Sequence, residues 1–216
     1  MDVVVELLPG NSAKIRLLFD LVELRPGRVL DVGCGDLSLW AALRDRPQVV
    51  GVDARLPPPK VQGIETRELD ARALDYDAEF DAVVSTQMLD DVAEWRDVLR
   101  GMREALRPGA TLFLTCDSGD VRRPWRARLR GVPSGPTLEA LGGAARGLGL
   151  EVDALRRYGR RDLKARQGEL DGAGRLDTMV LEDSIEPDDP REWGLLYLRA
   201  TRPGAPRRPG EPAPPG

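Results

Sequence analysis

Histidine is absent from the 216 residues. That excludes an imidazole general base, a triad built on histidine, and any histidine metal site. Cysteine occurs only at Cys34 and Cys116, too few for a disulfide framework. Both are expected as reduced, buried, small apolar residues, and no metal is expected. No apolar run is long enough to span a membrane, and the first residues lack a signal-peptide core, so a cytoplasmic protein is the expectation. Neither sign of charge dominates: 32 Lys+Arg stand against 36 Asp+Glu, a net −4. The chain as a whole is therefore no general binder of polyanions, and nucleic acid is not an expected partner. Its 31% charged and 41% hydrophobic content suits a soluble globular protein long enough for one full core.

What is present is a strand–turn–helix signature. Residues 29–40 read Val-Leu-Asp-Val-Gly-Cys-Gly-Asp-Leu-Ser-Leu-Trp. An apolar strand over 28–32 enters a Gly-x-Gly turn at Gly33 and Gly35, and helix-compatible residues follow over 37–43. A second apolar strand, 49–52, ends on Asp53. An acid about 20 residues beyond such a turn is how an open α/β sheet grips a ribose diol. Asp31, just ahead of the first glycine, argues against a dinucleotide, because a carboxylate there repels a pyrophosphate. It suits a ligand bearing an ammonium and a sulfonium.

The remaining pattern alternates. Ser12 is a candidate N-cap for a helix with Ile15, Leu18, Phe19 and Val22 on one face, stopped by Pro26-Gly27. Pro57-Pro58-Pro59 marks a loop. Strands are expected over 64–69, 80–85, 110–116, 150–155 and 193–200. Helices are expected over 93–106, closed by Pro108-Gly109, and over 138–148. Such alternation calls for an α/β doubly wound, mainly parallel sheet. One domain is expected over 1–201, with a disordered Pro/Gly/Arg tail over 202–216. Residues 159–190 resist assignment.

Taken together, Asp31-Val32-Gly33-Cys34-Gly35-Asp36-Leu37, the acid closing the second strand, and Phe80-Asp81-Ala82-Val83-Val84-Ser85-Thr86-Gln87-Met88-Leu89 resemble the class I S-adenosylmethionine-dependent methyltransferases of the small-molecule type. The resemblance implies a Rossmann-like seven-stranded sheet with an antiparallel last strand, and S-adenosylmethionine as cofactor. It implies that Asp31 faces the methionine portion and that Gly33 and Gly35 let the backbone pass beside the cofactor. Asp53, with Ala54 after it, would hold the ribose hydroxyls; Asp70 and the Ala71 amide would meet the adenine. Ser85 and Gln87 would lie near the methionine amino group and the reacting methyl, or else only satisfy backbone. The family's third glycine is Leu37 here, which either crowds the methionine end or packs under the following helix, the second being favoured.

Without histidine, the candidates for a base are Asp90, Asp91, Asp117 and Tyr158, with Asp90, Asp117 and Gln87 carrying the catalytic assignment. The alternative for Asp90-Asp91 is that the pair favours the positive end of the next helix. Arg122, Arg123, Arg126, Arg128 and Arg130 around Trp125 would suit an anionic group on a small-molecule acceptor, or form a solvated loop. The basic run over 156–166 reads as a charged helix face or an insertion. Two other functions compete: a nicotinamide oxidoreductase and a non-catalytic cofactor-binding module. Oligomeric state is not legible.

Overall fold

Helix α1 (Ser12–Leu24) leads into strand β1 (Arg28–Val32), the short helix α2 (Ser38–Ala41) and strand β2 (Gln48–Asp53). Strand β3 (Glu65–Glu68), strand β4 (Phe80–Thr86), helix α3 (Trp95–Ala105) and strand β5 (Leu106–Asp117) follow, then helix α4 (Leu138–Gly147), strand β6 (Glu151–Gly159) and strand β7 (Trp193–Thr201). This computed structural model describes residue 1 and residues 12–119, 135–159 and 193–204. The lead over 2–10, the arginine cluster around Trp125, most of 159–190 and the tail beyond 204 lie outside the described residues.

The strands form one sheet in the order β3-β2-β1-β4-β5-β7-β6. The first five are parallel to one another, and β7 runs antiparallel to both neighbours. This is the seven-stranded, mostly parallel sheet with an antiparallel last strand. β1 and β4 are buried along nearly their whole length, as strands covered on both faces must be. One face carries α1 and α2, where Ile15, Leu18 and Trp40 pack with Val29, Val84 and Phe113. The other carries α3 and α4, where Val98, Leu99, Met102 and Leu141 pack with Leu30, Val83 and Leu112. Burying each such aliphatic side chain contributes about 1.5–3 kcal/mol. Among the described residues no helix is long and apolar enough to cross a membrane.

Element boundaries depart from the sequence reading in places where long-range pairing decides. The helix expected over 93–106 is Trp95–Ala105, and Leu106 already pairs with Phe80. Pro108 disfavours a helical Arg107. Gly109, at φ 84, donates to the Arg202 carbonyl at 2.7 Å, and the Arg202 amide donates to Ala110 at 2.9 Å. The end of β7 thus draws the expected turn into β5. Ser12 is buried at the start of α1, and the residue before it lies outside the described residues. Arg156 and Arg157 correct the expected helix face: both lie in β6, opposite Tyr197 and Leu196. Helix α4 matches its sequence signals. Thr137 Oγ1 caps the Ala140 amide at 3.1 Å, and Gly149 takes φ 76 beyond the end.

Candidate active site

The order places β1 between β2 and β4, whose connections leave the sheet in opposite senses; ligands of open α/β sheets bind outside the strand ends at such a point. A cleft of about 420 Å³ opens there. Gly33, Asp53, Ala54, Asp70 and Ala71 line it together with Met88. The volume falls in the range of small-molecule sites.

The glycine turn is built by left-handed backbone, which glycine adopts freely, and by close approach. Gly33 takes φ 76 and Gly35 φ 50. The Gly33 and Cys34 amides both donate to the Val52 carbonyl, at 2.8 and 3.1 Å. A Cβ on Gly33 would sit 2.5 Å from Met88 Cγ, whereas one on Gly35 would meet no atom of the described residues beyond its chain neighbours within 4 Å. Gly33 is therefore glycine to make room for protein, and Gly35 faces open space. Asp53, at the tip of β2, accepts from the Gly35 amide at 2.9 Å and from the Arg55 amide at 3.0 Å. Those bonds fix the carboxylate and leave each oxygen a further lone pair.

Leu37 resolves the alternative left open by sequence. It adopts φ 62, ψ 19, the conformation for which glycine is favoured. Its side chain is 1% exposed and packs over Gly51, where a Cβ would lie 3.1 Å from Leu37 Cδ2. It goes under the loop and away from the cleft. Leu37→Ala should destabilise by about 2–5 kcal/mol through the lost burial and the cavity. Leu37→Gly should cost about 1 kcal/mol less than the alanine, because it relieves the left-handed backbone. Urea melts of the two variants would show the order; alanine more stable than glycine would contradict it.

The charged end of the site lies beneath this loop. Asp31 is 1% exposed. Its Oδ2 accepts from Trp40 Nε1 at 2.7 Å, and its Oδ1 is buried with no hydrogen-bond partner among the described residues. Burial pushes its carboxyl up to about 7, against the opposing pull of Trp40 and of the Lys14 ammonium. Lys14, on α1, is half-buried and held below the usual ammonium range by desolvation; Asp31, Asp36 and Asp90 all attract it. At the far end, Arg72 clasps Asp70 through its backbone amide at 2.9 Å and its guanidinium at 2.6 Å. That pairing draws the Asp70 carboxyl down to about 2. Arg72 also reaches Glu94 at 3.6 Å, spanning from the β3 side of the cleft to the start of α3.

At the ends of β4 and β5 the carboxylates gather. Asp90 is 6% exposed and its Oδ1 accepts from the Asp117 amide at 3.2 Å. Burial raises its carboxyl above the ordinary range, and the neighbouring Asp117 and Asp91 add to the rise. Gly135 closes over the pair, since a Cβ there would sit 2.8 Å from Asp90 Cβ and 2.4 Å from the Asp117 carbonyl. Gln87 takes φ 53, and its amide donates to Thr115 at 2.7 Å. The Ser85 hydroxyl is fully buried and donates to the Val32 carbonyl at 2.8 Å. It thus satisfies backbone just ahead of Gly33, the second of its two expected roles. Tyr158 lies level with Asp117 across β7 but is buried edge-on against Tyr197, beside Arg16 and Asp20. It is not brought to the carboxylate pair.

Residues 9–155 match the family described as a methyltransferase domain. The chain belongs to that family. A ubiquinone biosynthesis O-methyltransferase of Idiomarina loihiensis is 32% identical over 108 residues, 44% of this chain and 44% of that protein. One from Marinobacter nauticus is 32% identical over 120 residues, covering 49% and 50%. The chain thus spans about half the length of the curated relatives it matches. The fold is that of the class I S-adenosylmethionine-dependent methyltransferases. An S-adenosylmethionine-dependent methyltransferase from Mesorhizobium loti superposes with a TM-score of 0.64 at 19% identity, covering 90% of this chain and 100% of that one. The [4+2]-cyclase SpnF superposes with a TM-score of 0.59 at 23% identity, covering 87% and 80%.

Three residues of this methyltransferase domain escaped the sequence reading. Lys14 had one available signal: a cation on the apolar helix that precedes a strand ending in a buried acid. Met88 and Trp40 had none, because an apolar residue near a glycine loop is indistinguishable from core by pattern. Met88 covers Gly33 and lines the cleft; Trp40 reaches the acid.

Asp31 also sets a pH dependence. The unfolded chain releases this proton near pH 4 and the folded chain near pH 7. The free domain therefore loses stability as pH rises across that window. A cation bound beside Asp31 favours its ionised form. S-adenosylmethionine binding at pH 6 should then release about one proton, and the release should fall away as pH approaches 8. Calorimetric titration in buffers of different ionisation enthalpy measures this; Asp31→Asn should abolish it, and an absent release at pH 6 would refute it.

Proposed function

We propose that this domain transfers the methyl group of S-adenosylmethionine to an oxygen or nitrogen of a small-molecule acceptor. One observation carries the reading: Asp53 clasps the Gly35 amide at the tips of β2 and β1, and among the described residues the space beside Gly35 is open. The residues present fit the cofactor. Asp53 would accept from the ribose hydroxyls, and the free Oδ1 of Asp31 would accept from the ammonium. Lys14 would meet the carboxylate end, and the Ala71 amide would face the adenine edge. Bound S-adenosylmethionine supplies a methyl carbon already activated by its sulfonium.

What remains for the chain is to align the acceptor, exclude water and remove a proton where the nucleophile carries one. Asp90 suits that last task. It is buried, sits at the strand ends, and burial raises its proton affinity. The O-methyltransferase relatives support an oxygen acceptor. An anionic acceptor group draws its support from the arginines around Trp125 alone.

Wild-type protein should bind S-adenosylmethionine in a calorimeter and form S-adenosylhomocysteine with a competent acceptor. No binding would sink the proposal, and binding without turnover on any acceptor would favour the non-catalytic module. Asp90→Asn should lower kcat about 10–100-fold with little change in cofactor affinity, the scale of one positioned base. With wild type, kcat should fall as pH drops through a value above the ordinary carboxylate range, and that limb should vanish in the variant. Unchanged kcat would show that Asp90 serves only the loop.

A further inference from the structure

The proposed site does not yet account for Trp40. Both it and Asp31 are buried, at 0% and 1% exposure, and they are joined at 2.7 Å. A buried indole seeks an acceptor for its single N–H, and here it takes one oxygen of a carboxylate whose other oxygen has no partner among the described residues. α2 is only four residues long and starts from left-handed Leu37. The Trp40 amide donates to the Leu37 carbonyl at 3.1 Å, and the Leu43 amide donates to the Trp40 carbonyl at 3.3 Å. The turn after the second glycine therefore delivers the indole back onto β1.

We propose that Trp40 is a positioning residue for the methionine end of the cofactor: its indole N–H pins one Asp31 oxygen so that the other is presented to the ammonium. The proposal rests on the reading of Asp31 given above. A carboxylate with both oxygens free rotates about χ2; one held at Oδ2 presents Oδ1 in a single direction. The pin also favours the charged form that the ammonium needs. Among the described residues, the other ionisable groups facing Asp31 are Lys14 from α1, Asp53 from β2 and, within the glycine loop, Cys34, whose thiol is itself pushed up by burial.

The test is calorimetric titration of the full chain between pH 5.5 and 8.5 with two probes. S-adenosylhomocysteine carries the ammonium; 5′-methylthioadenosine lacks the whole amino-acid end. The proteins are wild type, Asp31→Asn, Trp40→Phe, and a chain with benzothienylalanine at position 40, which keeps the indole shape without the N–H. Both position-40 variants should weaken S-adenosylhomocysteine about tenfold at pH 7 and leave 5′-methylthioadenosine unchanged. Both should move the acid-side loss of S-adenosylhomocysteine binding to higher pH. Equal weakening of the two probes by the benzothienyl chain, or no weakening of either, overturns the proposal. Loss in Asp31→Asn without loss at position 40 overturns it alone. Failure of wild type to bind either probe overturns the cofactor reading itself.

Discussion

Asp53→Ala should reduce S-adenosylmethionine affinity about 1,000-fold. The carboxylate makes two kinds of contact. Its bonds to the Gly35 and Arg55 amides, at 2.9 and 3.0 Å, hold the glycine loop against the tip of β2. Its remaining lone pairs face the cleft, where a ribose diol would donate. A hydrogen bond to a charged group contributes about 1.5–3 kcal/mol, so losing two ligand bonds removes about 4 kcal/mol. Asp53→Asn separates the parts. Its amide oxygen keeps one loop contact, so it should bind more tightly than the alanine and less tightly than wild type. Calorimetry on both variants, with circular dichroism to confirm the fold, measures the effect. An alanine variant that binds within threefold of wild type would remove Asp53 from the site.

Gly33→Ala and Gly35→Ala should fail in different ways, although the two glycines are equivalent in the motif. At Gly33 the new methyl meets Met88 Cγ at 2.5 Å and Cβ at 2.6 Å, on a backbone at φ 76. Overpacking costs about 1–3 kcal/mol and the left-handed backbone about 1–2 kcal/mol. The fold should lose about 3 kcal/mol, or roughly 6–12 °C in Tm for a domain of this size. Among the described residues beyond its chain neighbours, Gly35→Ala meets no atom within 4 Å. It should lose only the backbone term, about 1–2 kcal/mol, while the methyl projects into the space assigned to the cofactor and lowers affinity at least about 100-fold. Paired melts and titrations test this. A Gly35 variant that binds normally would show that the open space beside it is not where the cofactor lies.

The element plan was legible because its signals are local and agree with one another. The apolar segments 28–32, 49–52 and 80–85 end on turn residues at the spacing a parallel sheet needs, and each appears as a strand. Of the residues placed around the cofactor, Gly33, Asp53, Ala54, Asp70 and Ala71 line one cleft, because the strand ends that carry them are neighbours in the sheet, whereas Asp31, Gly35 and Ser85 are not among its lining residues, Asp31 and Ser85 being buried. Boundaries were less legible. β5 begins four residues earlier than expected because Leu106 pairs with Phe80 on β4 and Arg202, nearly a hundred positions away, bonds to Gly109 and Ala110. The run at Arg156-Arg157 reads as a helix face by charge alone, and becomes a strand because β7 offers it a ladder.

Side-chain direction was beyond the sequence altogether. Ser85 and Asp90 are both polar residues around the end of β4. One turns to the backbone of β1, and the other turns to the amide of β5 and keeps a raised proton affinity. Leu37 could have faced either way until Gly51 supplied the space beneath it.

By itself, the order of apolar runs, glycines and acids determined which strands form and which carboxylates stand at their tips, because period and turn chemistry are properties of the local chain. Only the tertiary structure decided which oxygen of Asp31 is held, that Lys14 shares its surroundings, and that Met88 fills the space over Gly33. The first is a contact nine residues apart and the others join segments further apart in sequence, and all exist only once the two faces of the sheet are covered.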